Sequence, residues 1–258
     1  MSLDLPALRD AALAVAEEAD ALSLRHFRAG VDIDTKGDGT PVTRADREVE
    51  ALARRRLAGV FPGHALAGEE QGGVLEPGVP TWIVDPIDGT KNFVRGIPIW
   101  ATLLALVVDG VPVVGVVSAP AMGERWDAAQ GLGARRNGER AAVSAVGDLA
   151  ETHLLVGGLS WFRRSPRHWA LLGDLVDRVW RVRGFGDFWM HLLVAGGHAD
   201  VALERDVQPW DVAAPACVVN EAGGRMTAWD GGPLLGSGEA LTTNGHLHDA
   251  LIAHLAQA

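Results

Sequence analysis

The chain has few of the features that would place it in an oxidising compartment or in a membrane. Cys217 is its only cysteine, so no disulfide framework can form within the chain, and a reducing cytoplasm is the expected location. The longest largely apolar run, Ala101 to Val108, has the length of a strand and is far shorter than the roughly 18–20 residues of a membrane-spanning helix. The first residues also lack the basic and apolar regions of a signal peptide. We therefore expect a cytoplasmic protein.

Basic residues are also scarce. The 258 residues include 23 Lys and Arg against 33 Asp and Glu, a net charge of −10, and Lys36 and Lys91 are the only lysines. This charge argues against a nucleic-acid partner and is compatible with binding of metal ions or small cations. The hydrophobic content of 48% is that of an ordinary globular protein.

The hydrophobic periodicity changes along the chain. In the first half it predicts two helices, an antiparallel meander with a hairpin at Asp109-Gly110, and a short strand and turn over residues 31–36 and 37–41. In the second half strands and helices alternate. We therefore predict an N-terminal α+β lobe over residues 1–145 and a C-terminal α/β lobe over residues 146–258, packed closely as one unit.

The most informative stretch runs from Trp82 to Phe93. A β-branched run leads into Asp85-Pro86-Ile87-Asp88-Gly89-Thr90. Carboxylates at a strand end are the hard oxygen ligands that Mg²⁺ prefers. The Gly-Thr step places backbone N–H groups at the start of a short predicted helix, where a phosphate binds well. Together these features predict metal-assisted phosphoryl chemistry.

Each acidic residue also has an ordinary structural interpretation. Asp85 and Asp88 stand in Asp-Pro and Asp-Gly pairs that favour turns, and Asp211 could cap a helix. Asp46, three residues after Thr43, fits a capping box.

Other chemistries fit the spacing less well. Phosphatases that form an aspartyl phosphate use carboxylates two residues apart, whereas here the gap is three and a proline follows the first. The chain has no EF-hand loop, no Gly-x-Ser-x-Gly elbow, no phosphate-binding loop of the Walker type and no helical histidine pair.

Several motifs together resemble the inositol monophosphatase family. They are Gly68-Glu69-Glu70, Trp82 to Phe93, Trp210-Asp211-Val212-Ala213-Ala214, Glu221-Ala222-Gly223-Gly224, and Thr40-Pro41-Val42-Thr43 through Asp46. They occur in the family's order and extend from about residue 36 to residue 224. The resemblance implies an α+β fold in the form of a five-layered αβαβα sandwich, two or three Mg²⁺ ions and a homodimer.

The resemblance also implies roles for individual residues. The implied metal ligands are Glu70, Asp85, the carbonyl of Ile87, Asp88 and Asp211. The implied catalytic residues are Asp46, Thr90 and Glu70. In this scheme Thr90 and Asp46 orient and deprotonate the attacking water, and no side chain is phosphorylated.

Family membership does not fix the leaving alcohol. The implied substrate contacts are Asp88, Gly89, Thr90, Arg183, Gly186, Asp187, Glu204 and Asp211. Asp187 would add a second carboxylate beside Glu204, which favours a cationic alcohol such as histidinol through charge-assisted hydrogen bonds. A helix cap is the alternative role for Asp187.

A longer match narrows the choice of substrate. Residues 85–100 and 179–188 resemble the histidinol-phosphate phosphatase branch of actinobacteria. We therefore predict a Mg²⁺-dependent histidinol phosphatase. An inositol-1-phosphate phosphatase is the alternative, and an inactive metal-binding regulatory protein is a third possibility.

Overall fold

The computed structural model describes residues 3–29, 33–35 and 41–256. Most of the strand and turn predicted over residues 31–41 falls outside these ranges, as do Lys36 and Thr40.

The helices agree closely with the apolar periodicity of the sequence. Those of the described residues are α1 (Leu5–Ala29), α2 (Arg44–Val60), α3 (Thr90–Val94), α4 (Leu159–Arg163), α5 (Pro166–Arg178), α6 (Asp187–Ala195), α7 (Pro209–Glu221) and α8 (His248–Leu255). A 3₁₀ turn covers Leu149–Glu151. None of these helices is both long enough and apolar enough to cross a bilayer.

The first half of the chain forms a mostly antiparallel sheet. Its strands, in spatial and chain order, are β3 (Ala65–Gly68), β4 (Thr81–Asp88), β5 (Ala101–Val108), β6 (Val111–Ala119), β7 (Glu124–Ala129), β8 (Gly133–Arg136) and β9 (Glu139–Arg140). Only the β3–β4 pair is parallel. The predicted hairpin at Asp109-Gly110 is confirmed, and both residues have the positive φ that such a two-residue turn requires. Before this sheet, β1 (Ile33–Thr35) pairs with β2 (Pro41–Thr43).

The second half forms a smaller mixed sheet. Its strands are β10 (His153–Val156), β11 (Arg181–Arg183), β12 (Val201–Arg205), β13 (Arg225–Thr227) and β14 (Glu239–Thr243), and their spatial order is β11-β10-β12-β14-β13. β10 is parallel to both β11 and β12, whereas β14 is antiparallel to its neighbours. Strands and helices largely alternate along this half of the chain, from β10 to α8.

The elements stack in five layers. Helices α1 and α2 cover one face of the large sheet, α6 and α7 lie between the two sheets, and α4, α5 and α8 cover the outer face of the small sheet. Helix α7 is apolar on nearly all sides because it is buried between sheets. A Cβ atom on Gly115 would lie 2.6 Å from the carbonyl of Ala214, so glycine lets β6 and α7 approach closely. The predicted αβαβα sandwich is confirmed.

The central layer takes side chains from both predicted lobes. Leu103 and Trp126 come from residues 1–145, and Phe188 and Val218 come from residues 146–258, yet all four belong to one buried cluster. The two halves share a core, and a lobe boundary near residue 145 stays a prediction.

Candidate active site

A β-bulge in β4 is the basis of the site. Asp85 pairs with Leu103 of β5, but Asp88 pairs with Ala101, so β4 holds one extra residue between the two aspartates. Side chains alternate along a regular strand, and residues three apart would therefore face opposite sides. The extra residue brings both carboxylates to the same side. Pro86 fits the bulge because it has no N–H to donate to the ladder.

Asp211 reaches the same place from the start of α7. Carboxylate oxygens of Asp85, Asp88 and Asp211 lie within 4.8 Å of one another. Burial, followed by neighbouring carboxylates, raises the pKa of Asp85 and Asp88 well above the usual range. Burial also raises the pKa of Asp211 to about 8. A hard divalent cation would let these three carboxylates ionise together, so the donor set fits a metal of the Mg²⁺ type.

The glutamate beside this cluster is Glu69, whereas the sequence motif led to the prediction of Glu70. Gly68 of β3 lies opposite Val84 of β4, and the N–H of Glu69 donates to the carbonyl of Val84 at 3.2 Å. One residue further along, Glu69 is level with Asp85, and neighbours level on parallel strands share a face. Burial and then Glu69 are the largest causes that raise the pKa of Asp85. Among the described residues, Glu69 lines the cavity and Glu70 does not.

Glu50 on α2 anchors the turn that holds Glu69. Its wholly buried carboxylate accepts the N–H groups of Glu70 at 2.7 Å and Gln71 at 3.1 Å, and the Nε of Arg54 donates to it at 2.7 Å. A Cβ on Gly68 would lie 2.6 Å from Glu50 Oε1, so glycine leaves the room that the carboxylate needs. The motifs do not single out Glu50. Its one sequence signal is an acidic residue on the apolar face of a helix.

Asp46 uses its two carboxylate oxygens for different partners. Oδ2 accepts the N–H of Thr43 at 2.8 Å and also its hydroxyl. The first of these bonds, together with the N–H of Asp46 donating to the hydroxyl oxygen of Thr43 at 3.4 Å, forms the capping box at the start of α2. Oδ1 lies 3.5 Å from the hydroxyl of Thr90, which donates to the carbonyl of Ile87 at 3.0 Å. Burial raises the pKa of Asp46. The capping box is confirmed, and the contact with Thr90 is present beside it.

A cavity of about 680 Å³ opens beside these groups. Nine of the residues assigned from the sequence line it: Asp85, Ile87, Asp88, Gly89, Thr90, Gly186, Asp187, Glu204 and Asp211. Further lining residues, to which the sequence analysis assigned no role, include Glu69, Lys91, Trp161, Arg205, Gln208 and Trp210.

Besides Glu70, two assigned residues lie away from the cavity wall. Arg183 is exposed at the end of β11, and its Nη1 donates to the carbonyl of Val182 at 2.7 Å. Among the described residues Arg183 is not part of the lining, because the end of β11 points its side chain to solvent. Asp46 is wholly buried and lies behind Thr90.

Asp187 faces the cavity from the beginning of α6. The N-cap is Gly186, and Asp187 itself has a φ of 56°, which is uncommon for a residue other than glycine. Its Oδ2 accepts the side-chain N–H of Asn92 at 3.2 Å and would lie 3.4 Å from a Cβ on Gly89. Burial, followed by the charge of Glu204, raises the pKa of Asp187 to about 6. Its carboxylate therefore belongs to the cavity wall.

Comparison with known proteins agrees with this geometry. The family model described as the inositol monophosphatase family matches residues 4–258. The chain belongs to the inositol monophosphatase family. As a member, it is a phosphoric monoester hydrolase of a metal-dependent family, and its cluster of Asp85, Asp88 and Asp211 provides an acidic site for metal.

Three similar proteins illustrate the range of this family. A histidinol-phosphatase from Mycobacterium tuberculosis is 49% identical, over 95% of this chain and 96% of the relative. A histidinol-phosphatase from Streptomyces coelicolor is 43% identical, over 94% of each chain. The structure of an inositol monophosphatase from Anabaena superposes with a TM-score of 0.86 at 32% identity, over 99% of this chain and 98% of that one.

Proposed function

We propose that this member of the inositol monophosphatase family hydrolyses histidinol phosphate to histidinol and phosphate. The observation that carries the proposal is a second carboxylate, Asp187, next to Glu204 in the cavity. Histidinol carries an ammonium group and an imidazole, which two carboxylates bind through charge-assisted hydrogen bonds. Two relatives with 49% and 43% identity are named histidinol-phosphatases, which supports the same substrate.

We further propose Mg²⁺ as the metal. Asp85, Asp88, Asp211, Glu69 and the carbonyl of Ile87 would hold two or three ions, with Glu69 in the role that the motif had assigned to Glu70. When bound, such ions lower the pKa of a water molecule and offset charge that develops on the phosphoryl oxygens.

The protein's own groups would then orient the reaction. The hydroxyl of Thr90 holds the attacking water and passes a proton to Asp46, whose Oδ1 lies 3.5 Å away. The water oxygen forms a bond to phosphorus as the bond to the ester oxygen breaks. The leaving alkoxide takes up a proton from a second water molecule, and Asp46 returns its proton to solvent. Gly89 and Thr90, both in the cavity wall, would contact the phosphate through their backbone N–H groups.

The decisive experiment compares kcat/KM for histidinol phosphate and inositol 1-phosphate in the same Mg²⁺ buffer. We expect histidinol phosphate to be preferred by about tenfold or more, the value of one charge-assisted hydrogen bond. Preference for inositol 1-phosphate would contradict the proposal. That alternative draws on Glu204, which can accept hydrogen bonds from ring hydroxyls, and on the fold shared with the Anabaena enzyme.

The remaining expectations concern the state of the protein. We propose a homodimer in the cytoplasm. The family resemblance supports the dimer, and Cys217, the only cysteine of the sequence and a buried free thiol, supports a reducing compartment. Sedimentation equilibrium would test the dimer. The presence of both Asp46 and Thr90 favours an active enzyme over a regulatory protein that binds metal without turnover.

A further inference from the structure

His191 connects the cavity to the small sheet through two buried hydrogen bonds. It lies on α6, and its side chain is 1% exposed. Its Nε2 is 3.1 Å from Oε2 of Glu204, and its Nδ1 is 2.8 Å from the hydroxyl of Thr242 on β14. No motif of the sequence pointed to either His191 or Thr242.

The direction of the bond to Glu204 follows from the chemistry of its partners. An ionised carboxylate can only accept hydrogen bonds. Nε2 of His191 therefore carries a hydrogen and donates a hydrogen bond to Glu204. In a neutral ring, Nδ1 then accepts from the hydroxyl of Thr242, and the ring is satisfied at both nitrogens. The carboxylate of Glu204 therefore selects the tautomer, and Thr242 pairs with Nδ1 and holds the ring in the plane that directs Nε2 at Glu204.

Gly157 allows the carboxylate to take this position. A Cβ added to Gly157 would lie 2.5 Å from Oε1 and 3.1 Å from Cδ of Glu204. The φ of Gly157 is not in the positive range that favours glycine, so the reason for glycine here is space. His191 thus holds Glu204 through Oε2, and the absence of a side chain on Gly157 leaves room for Oε1. Glu204 remains part of the cavity wall.

We propose that His191 is a positioning residue that sets the orientation of Glu204 for the cationic part of the leaving alcohol, and so contributes to substrate selectivity. The inference rests on the proposed function, because a fixed carboxylate matters most for a cationic substrate. A phosphate ester whose leaving group is neutral and carries no N–H or O–H donor gains little binding energy from this carboxylate.

The main test compares His191→Leu with His191→Gln on two substrates. Leucine cannot donate to Glu204, whereas the amide of glutamine can. We expect His191→Leu to raise KM for histidinol phosphate about tenfold with little change in kcat, as for loss of a hydrogen bond to a charged group. We expect p-nitrophenyl phosphate to be affected less than about twofold, and His191→Gln to recover most of the loss. Equal losses on both substrates, or no recovery with glutamine, would show a merely structural role.

β14 offers a matched pair of variants if the His191 substitutions prevent folding. The adjacent residue Thr243 is also buried, and its hydroxyl is 2.9 Å from Nδ1 of a different histidine, His248. Thr242→Val should raise KM for histidinol phosphate about threefold or more, because Nδ1 loses the hydrogen bond that holds the ring against Glu204. Thr243→Val removes an equivalent hydroxyl and should leave that KM unchanged. Similar effects of the two variants would overturn the inference.

A readout without substrate separates this inference from the proposed function. Long-range ¹H–¹⁵N spectra of the holoenzyme with labelled histidine should show His191 protonated at Nε2, and Glu204→Gln should shift that signal. A proton found only at Nδ1 would overturn the inference. A wild-type enzyme that prefers inositol 1-phosphate would instead overturn the proposed function, with the Nε2 signal unaffected.

Discussion

Several carboxylates at the cavity act in the fold and in the site at the same time. One oxygen of Asp46 closes the capping box of α2, and Oδ2 of Asp211 accepts the N–H of Gln208 at the start of α7, at 2.7 Å. Oδ2 of Asp88 accepts the N–H of Phe188 at 2.6 Å and so joins β4 to α6. Because a carboxylate has two oxygens, one can hold the backbone while the other faces a ligand.

The two adjacent glutamates give a direct test of the metal site. Glu69→Gln should weaken Mg²⁺ binding about 10–100-fold, the usual cost of altering groups at a metal site, because the side chain lies level with Asp85. Glu70→Gln is the matched control and should change Mg²⁺ affinity less than about twofold, since its side chain is not at the cavity wall. Isothermal titration calorimetry measures both. A larger loss for Glu70→Gln would restore the assignment made from the motif.

Asp187 is the residue on which selectivity should depend most. Asp187→Ser should lower kcat/KM for histidinol phosphate about tenfold or more, since a charge-assisted hydrogen bond is lost. Turnover of inositol 1-phosphate should stay within about threefold, because a ring of hydroxyls does not need the second charge. Steady-state kinetics on both esters check this. Equal losses would mean that Asp187 acts on the phosphate side of the site.

At the scale of elements, α2 organises the connection after β3. Its residue Glu50 receives two consecutive backbone N–H groups from residues 70 and 71 and an ion pair from Arg54. These bonds fix the chain immediately after Glu69. The helix therefore acts on the metal site through the backbone rather than through a side chain in the cavity.

Glu50→Gln should loosen this connection without changing side-chain volume. The amide retains one acceptor oxygen but loses the charge, and removal of one partner of a buried ion pair costs up to about 3–5 kcal/mol. We expect a drop in the free energy of unfolding together with weaker Mg²⁺ binding. Arg54→Met is the control, because it removes the ion pair, and the bonds of Arg54 to the carbonyls of Leu66 and Gly72, but leaves both N–H bonds to Glu50. If Arg54→Met weakened Mg²⁺ binding as much as Glu50→Gln, the N–H bonds would not be the cause.

The elements also show what the sequence can predict. Helices α1 and α2, the hairpin at residues 109–110 and the strand that leads into Asp85 follow from local patterns, and the structure confirms them. The bulge between Asp85 and Asp88 appears only in the pairing of β4 with β5. The identity of the cavity glutamate does not, because it depends on which residue of β3 lies beside β4. That register is a long-range property, and a slip of one residue exchanges the two faces of a strand.

Other parts of the site are equally non-local. His191 and Glu204 meet because α6 packs on β12, and Thr242 joins them from a strand about fifty residues away in the chain. The inward direction of Asp187 depends on a backbone conformation that aspartate seldom adopts. Arg183 has the right neighbours in sequence, but β11 directs it to solvent. Motifs therefore locate the chemistry of such a site more readily than its walls.

At the scale of the whole molecule, the cavity lies where the layers meet. β4 of the large sheet, β12 of the small sheet and the first residues of α6 and α7 all contribute to its wall. The same two helices form the shared core between the sheets. Charge in the cavity is therefore coupled to the stability of the entire fold.

This coupling predicts how stability depends on pH and metal. Burial raises the pKa of Asp211 to about 8, above its value in an unfolded chain, roughly 3.9. Between those values the folded, metal-free protein binds more protons than the unfolded chain, so its free energy of unfolding falls as pH rises. Histidines with a lowered pKa, such as His248 at about 4, oppose this trend only below the unfolded histidine pKa of roughly 6.5. The melting temperature in EDTA should therefore fall between about pH 7 and pH 8.5.

Mg²⁺ should reverse that loss, because it binds the deprotonated carboxylates. At about 100 times its Kd it adds about 2.7 kcal/mol, which corresponds to a rise in melting temperature of about 5–10 °C for a chain of this size. The rise should be larger at the higher pH, and thermal unfolding with EDTA or Mg²⁺ at both pH values measures it. Asp211→Asn is the control variant, since it removes one of the three carboxylates with a raised pKa and should reduce the pH dependence in EDTA. If the melting temperature of the metal-free protein instead rose across this pH range, ionisation of these carboxylates would not be what determines its stability.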